Sequence, residues 1–175
     1  MNLKEFIRSI PDYPKKGILF RDITTLIKDK DAFKECIDQM SKILMKLNFD
    51  KIASIESRGF VFASALCYNL SKSLILMRKK NKLPAEKYSQ EFELEYGKAT
   101  IEIHKDSIQP KEKILIIDDL IATGGTAEAG AKLVERSEGT VAGFIFVINL
   151  FDLGGKKLLE DKGYKTFSLI DFPGH

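Results

Sequence analysis

Residues Ile114–Thr126 read ILIIDDLIATGGT, and the order of residue types in this stretch decides the fold. Ile114, Leu115, Ile116 and Ile117 form a run with no polar face, as in a strand buried on both sides. Asp118 and Asp119 end the run. The small-residue turn Ala122-Thr123-Gly124-Gly125-Thr126 follows, and then the helical pattern AEAGAKLVER begins. A strand, a glycine turn and a helix N-terminus in succession set bare backbone amides in front of a helix dipole, which attracts phosphate. Thr123 and Thr126 add hydroxyl donors. Adjacent carboxylates repel each other unless donors or a cation intervene. The hydroxyls of a sugar, or a metal carried by the ligand, would supply them. Together these residues point to a phosphorylated sugar.

On either side of this stretch the pattern alternates between strand and helix. Ile52–Ile55 reads as a short buried strand, Gly59–Leu70 as a helix apolar on most sides, and Ser73–Met77 as a second strand. Val141–Asn149 and Lys165–Leu169 read as further strands, with Leu153–Lys162 helical between them. Upstream, Asn2–Ile10 reads as a short helix stopped by Pro11, and Asp31 as the N-cap of an amphipathic helix carrying Phe33, Ile37, Met40, Ile43, Leu44 and Leu47. Arg78–Ser89 is basic and loop-like, and Phe92–Tyr96 with Ala99–Ile103 alternates around Gly97 as a β-hairpin would. Apolar strands alternating with helices predict a parallel sheet covered on both faces, with ligands at the carboxyl ends of the strands. Glu56-Ser57-Arg58, Arg78-Lys79 and Asp118-Asp119 are all expected there, just after strands.

Composition bounds the rest. The chain has 175 residues, 44% hydrophobic and 30% charged, which suits one globular domain with a real core. A net charge of +3 does not by itself argue for nucleic acid. Cys36 and Cys67 both fall in helical patterns and are expected as core thiols. No early apolar run resembles a signal peptide and no stretch is long enough to span a bilayer, so a cytoplasmic location and no membrane partner are expected.

The stretch IIDDLIATGGT resembles the signature of the phosphoribosyltransferases, which bind 5-phosphoribosyl-1-pyrophosphate. It lacks the Gly-Lys-Ser/Thr ending of a P-loop and the Gly-x-Gly-x-x-Gly of dinucleotide binders. Four further segments narrow the likeness: YPKKGILFRDIT from Tyr13, ESRGFVFA from Glu56, MRKKNKLP from Met77 and LEYGKA from Leu94. Together they resemble the adenine phosphoribosyltransferase family, collinearly from about Ile10 to the last strand. Thr25, Asn81 and Glu86 depart from that pattern, where proline or glycine is usual.

The resemblance implies an α/β chain of the type I phosphoribosyltransferase fold, a mostly parallel sheet flanked by helices. It implies a small hood (1–30) that carries the base site, a core (31–175) and a flexible hairpin loop (79–98). It assigns Ala122, Thr123, Gly124, Gly125 and Thr126 to a 5′-phosphate, and Asp118 and Asp119 to the ribose hydroxyls, directly or through a metal. Ser57, Arg58, Arg78, Lys79 and Lys82 fall to pyrophosphate, and Lys80 is expected to be merely solvated. Arg58 suits that role as a planar fork of donors, and a non-proline cis peptide is implied near Ser57. Leu19, Phe20 and Arg21 would hold adenine, Phe20 by stacking and the other two by their backbones. Arg21 and Asp22 are expected to pair and fix the loop. The plain alternatives are that Phe20 is core and this pair merely structural, and that Arg58 pairs with Glu56. Glu95 is the implied catalytic acid or base, alongside Arg58, and Tyr96 belongs to the lid. His104 and His175 match no motif.

The implied reaction is adenine salvage, giving AMP and pyrophosphate, with Mg²⁺ carried on the donor and a homodimer as the assembly. Another base (xanthine or guanine) and a non-catalytic regulator that binds the donor are the rival readings. No added DNA-binding domain and no C-terminal extension are expected. The basic cluster Arg78–Lys82 lacks interleaved aromatics, which argues against nucleic acid.

Overall fold

Side chains alternate across the central strands and so build two cores, one on each face of a seven-stranded sheet. Ile52, Leu115, Ile117, Ile145 and Val147 join one core, and Ala53, Ile55, Ile114, Ile116, Phe144 and Phe146 the other. The computed structural model describes residues 1–94 and 97–175. The sheet contains β3 (Lys51–Ile55), β4 (Ser73–Lys79), β5 (Lys87–Leu94), β6 (Gly97–His104), β7 (Lys113–Ile121), β8 (Thr140–Leu150) and β9 (Thr166–Phe172), in the order β5-β6-β4-β3-β7-β8-β9. Strands β4, β3, β7, β8 and β9 run parallel, and β6 is antiparallel to both β4 and β5. This is the mixed, mostly parallel sheet flanked by helices that the type I phosphoribosyltransferase fold requires.

The helices divide between the faces. Helices α2 (Lys30–Leu44) and α3 (Gly59–Leu70) pack on the first core, and α4 (Gly125–Arg136) and α5 (Gly155–Asp161) on the second. Since α3 leaves β3 toward β4 while α4 leaves β7 toward β8, the chain diverges between β3 and β7. A crevice opens at such a switch point, at the carboxyl ends of the two strands.

Ahead of the core, β1 (Arg8–Pro11) pairs antiparallel with β2 (Leu19–Asp22), and α1 (Thr24–Lys28) leads into α2. The helix expected over Asn2–Ile10 is a single 3-10 turn, Leu3–Phe6, followed by β1. Proline disfavours helix at the residue before it, and the ladder with β2 gives Ser9 and Ile10 an extended alternative. The N-cap of α2 is Asp29, whose carboxylate accepts from the Asp31 and Ala32 N–H groups. Asp31 lies within the first turn, where its charge suits the helix dipole. Met40 and Leu44 on this helix are fully buried and each contributes roughly 1.5–3 kcal/mol of transfer free energy.

Strands β4 and β7 run further than their apolar stretches, as does β9, which continues through Phe172. Arg78 and Lys79 complete β4, and Asp118–Ile121 completes β7. Parallel pairing uses the backbone alone, so Asp118 opposite Phe146 and Leu120 opposite Ile148 keep the ladder going past the acids. Lys87–Ser89 likewise belongs to β5, not to a loop. Cys36 and Cys67 are buried free thiols, and burial pushes them up to about 12 and about 11. Among the described residues no helix is long and apolar enough to cross a membrane.

Candidate active site

Every group at the switch point reaches it because a strand ends or nearly ends there. Glu56, Ser57 and Arg58 form the turn between β3 and α3, and the Glu56–Ser57 peptide is cis. Asp118 and Asp119 occupy the last part of β7, and Ala122–Gly124 the turn before α4. These residues line one cavity of about 690 Å³, together with Lys79 and Lys80 from the end of β4 and Phe92 and Leu94 from β5.

The two strand ends are stitched together. Ser54 Oγ donates to the Ile117 carbonyl at 3.2 Å. Gly59 packs so closely that a Cβ there would lie 2.9 Å from Asp118 Oδ1 and 2.9 Å from Ser54 Oγ. Gly59→Ala is therefore expected to displace Asp118. Helix propensity alone would gain about 1 kcal/mol, but overpacking costs about 1–3 kcal/mol and dominates. The expected result is a lowered melting temperature and roughly a tenfold loss of turnover, read by calorimetry and steady-state kinetics.

The aspartates are not equivalent. Asp119 is buried and accepts from Arg58 Nε at 2.6 Å. Asp118 is partly buried, and its Oδ1 accepts the Asp119 N–H at 2.8 Å. Burial, then the neighbouring Asp119 charge, pushes the Asp118 carboxyl well above the usual carboxylate range. Arg58 is held in its charged form: desolvation opposes the charge, but Asp119, with Asp118 and Asp22, more than offsets it. Arg58 thus pairs with Asp119 and not with Glu56.

Glu56 serves a different group of cations. Its carboxylate accepts from the Lys79 N–H at 2.8 Å and from Lys82 Nζ at 2.9 Å, and lies 3.3 Å from Arg78 Nε. Burial raises its carboxyl, yet these partners outweigh burial and hold it below the usual range. Arg78 and Lys82 are therefore anchored beside the cavity, while Lys79 and Lys80 line it. The sequence offered a faint signal for this role, an acid at the end of a strand whose parallel neighbour ends in cations. The partner choice, however, depends on the register of β3 with β4.

The glycine turn opens directly onto the helix. Gly124 is left-handed (φ 92°) and is the N-cap of α4, with no side-chain hydrogen bond capping it. Helix α4 starts at Gly125, two residues earlier than its sequence pattern suggests. First-turn residues of α4 line a cavity that also holds the two acids, an arrangement able to take a phosphate and a diol together.

Leu19 and Phe20 are half-buried on β2 and are not among the residues lining this cavity, which Phe20 approaches through Arg58. The Phe20 ring meets the edge of Tyr13 at 5.2 Å, and the Arg58 guanidinium carbon is 5.6 Å from its centroid. The Arg21 side chain turns the other way. It donates to Ser9 Oγ at 2.5 Å and to the Pro173 carbonyl at 3.0 Å, and lies over the Phe172 ring. The expected Arg21–Asp22 pair is not formed, because Asp22 takes Arg8 at 2.5 Å and the Thr24 N–H and hydroxyl. The register of β1 with β2, Arg8 opposite Asp22 and Ser9 opposite Arg21, dictates both choices. His104 accepts the Ala85 N–H through Nε2 and so supports the basic segment. Glu95 and Tyr96 lie outside the described residues. Among the described residues no cluster of three or more His, Cys, Asp or Glu side chains is placed to hold a metal ion.

Known proteins agree with this geometry. Residues 23–174 match the phosphoribosyl transferase domain family. An adenine phosphoribosyltransferase of Pelagibacter ubique (strain HTCC1062) is 69% identical over 100% of both chains. Among solved structures, the adenine phosphoribosyltransferase of Thermoanaerobacter pseudethanolicus superposes with a TM-score of 0.93 at 49% identity, covering 97% of this chain and 98% of that one. The Saccharomyces cerevisiae enzyme, solved with an imino-altritol bisphosphate and adenine, gives 0.88 at 34% identity over 96% of each chain. With the glycine turn, twin acids and basic strand ends gathered in one cavity, these likenesses make the chain a member of the phosphoribosyl transferase family, in its adenine phosphoribosyltransferase branch.

Proposed function

We propose that this chain transfers the 5-phosphoribosyl group of phosphoribosyl pyrophosphate to N9 of adenine, releasing AMP and pyrophosphate. The observation that carries this reading is the sharing of one cavity by the glycine turn, Asp118 and Asp119, and the cations Arg58, Lys79 and Lys80. In this reading the amides and hydroxyls of Ala122–Thr126 hold the 5′-phosphate, and Asp118 and Asp119 hold the ribose hydroxyls. Ser57, Arg58 and Lys79 contact the pyrophosphate, with Arg78 and Lys82 flanking it from their anchor on Glu56. Leu19 and Arg21 offer backbone groups to the adenine edge, and Phe20 a face for stacking.

Mg²⁺ arrives as part of the substrate, chelated by the donor, and supplies charge neutralisation of the leaving group. The carboxylate pair Asp118–Asp119 suits an ion that already has phosphate ligands. As the C1–O bond to pyrophosphate breaks, positive charge spreads over C1 and the ring oxygen. Arg58 and Lys79 stabilise the charge on the departing oxygens. N9 of adenine bonds to C1 from the opposite face, and its proton passes to a base, the role the family pattern gives to Glu95. The hairpin wall excludes water, which would otherwise hydrolyse the donor. The assembly we propose is a homodimer in the cytoplasm, supported by the exposed apolar side chains Val61 and Tyr68 on α3.

The test is pyrophosphate release with Mg²⁺, the donor and each purine in turn. Adenine is expected to exceed guanine, hypoxanthine and xanthine by about 10²-fold or more in kcat/KM, since a site built for one set of donors and acceptors leaves them unpaired with another base. Equal turnover of guanine or xanthine would reassign the base, and donor binding without release would favour a regulator.

A further inference from the structure

The hairpin β5–β6 is tied to α4 at both ends of that helix. At its start, the Glu93 carbonyl lies 3.2 Å from where a Cβ of Gly125 would be, and Phe92 lies 3.9 Å from the same point. At its end, Arg136 Nη1 donates to the Ser89 carbonyl at 2.5 Å, and the guanidinium carbon sits 5.0 Å from the centre of the Tyr88 ring. The 12 residues of α4 span about 18 Å. Four strand steps from Ser89 to Glu93 span about 13 Å, and the long Arg136 side chain makes up the difference. Strand β5 therefore lies lengthwise on the helix that follows the glycine loop. Tyr88 also meets Lys105 at 5.2 Å, so cations from two elements hold one ring. The Ser89 hydroxyl donates to the buried Glu102, which also accepts the Asn81 N–H at 2.7 Å.

We propose that Arg136 is a positioning residue for donor binding: by clamping Ser89 and Tyr88 to the far end of α4, it holds Phe92 and Glu93 over the glycine loop. The proposal rests on the assignment of that loop to the 5′-phosphate. Arg136 touches no substrate. It acts by keeping the hairpin wall in the docked arrangement, so the donor does not have to select that arrangement from a mixture. The clamp combines a charge-assisted hydrogen bond with a cation–π contact, and lysine can replace only part of it.

Arg136→Met, Arg136→Lys and Tyr88→Leu in the full chain test it, with Michaelis constants for donor and adenine, kcat, and the rate of tryptic cleavage after Lys98 as readouts. Arg136→Met is expected to raise the donor KM about five- to tenfold and to speed cleavage comparably, with kcat and the adenine KM within about twofold of wild type. Arg136→Lys should recover part of the loss. Tyr88→Leu should reproduce the donor-selective effect from the hairpin side, and it decides the matter if Arg136→Met does not fold. Unchanged cleavage, or faster cleavage with an unchanged donor KM, overturns the proposal, as does a fall in kcat with both KM values unmoved. If the wild-type chain releases no pyrophosphate with adenine, the functional reading fails instead, and cleavage still reports whether Arg136 holds the hairpin.

Discussion

Asp118→Asn combined with Asp119→Asn is expected to lower kcat by about 10³-fold while leaving the chain folded. Asparagine keeps the shape of both side chains and leaves an acceptor for the Asp119 N–H, now donated to Asp118 Oδ1 at 2.8 Å. What disappears, in the proposed assignment, is the acidic pair that faces the ribose and the Mg²⁺ on the donor. Stability should move the other way in the Asp118→Asn single variant. Burial and the Asp119 charge raise the Asp118 carboxyl, so the folded state keeps a proton that the unfolded chain releases. Stability then falls as pH climbs from the usual carboxylate range through the raised value. Removing the carboxylate removes that penalty, so this variant should melt above wild type at neutral pH. The gap should close near pH 4. A double variant with near wild-type AMP formation would refute the ribose assignment, and a melting temperature below wild type would refute the account of Asp118.

Arg58→Met is expected to lower kcat/KM by about 10²–10³-fold and to weaken inhibition by pyrophosphate by at least about tenfold. The stability cost should be smaller. Asp119 loses its 2.6 Å partner while only 7% exposed, but the Arg58 side chain is 53% exposed and water screens the pair. Those exposures limit the loss to about 1–2 kcal/mol. Arg58→Lys should rescue stability better than turnover, since an ammonium restores the charge but not the planar fork. Denaturant unfolding and steady-state kinetics on the two variants separate the effects. If Arg58→Lys restored turnover fully, charge alone would suffice, and the geometric role of the guanidinium would be withdrawn.

Local pattern sufficed wherever one residue type meets one environment. Gly59–Leu70 is helical over the span its apolar surround predicts, and Ile114–Ile117 is buried on both faces as its unbroken run requires. Local pattern failed where a distant partner decides. The acids Asp118 and Asp119 suggested the end of a strand, yet β8 carries β7 through to Ile121. Asn2–Ile10 had too few turns to separate helix from strand, and pairing with β2 settled Arg8–Pro11 as extended. Arg21 and Asp22, adjacent in sequence, point to opposite sides of β2 and find Ser9 and Arg8.

The order of residue types along the chain was enough for the alternation of strand and helix, the glycine turn before α4, the pair of acids and the family likeness, because each is written in contiguous residues and needs no partner. Long-range polar partners were another matter. That Arg58 takes Asp119, that Glu56 gathers Arg78, Lys79 and Lys82, and that Arg136 reaches back to Ser89 all join residues more than twenty positions apart. Several carboxylates and many cations were available to each, and charge alone does not choose among them. The choice was made by strand order and register, which set which backbones lie within a side chain's reach.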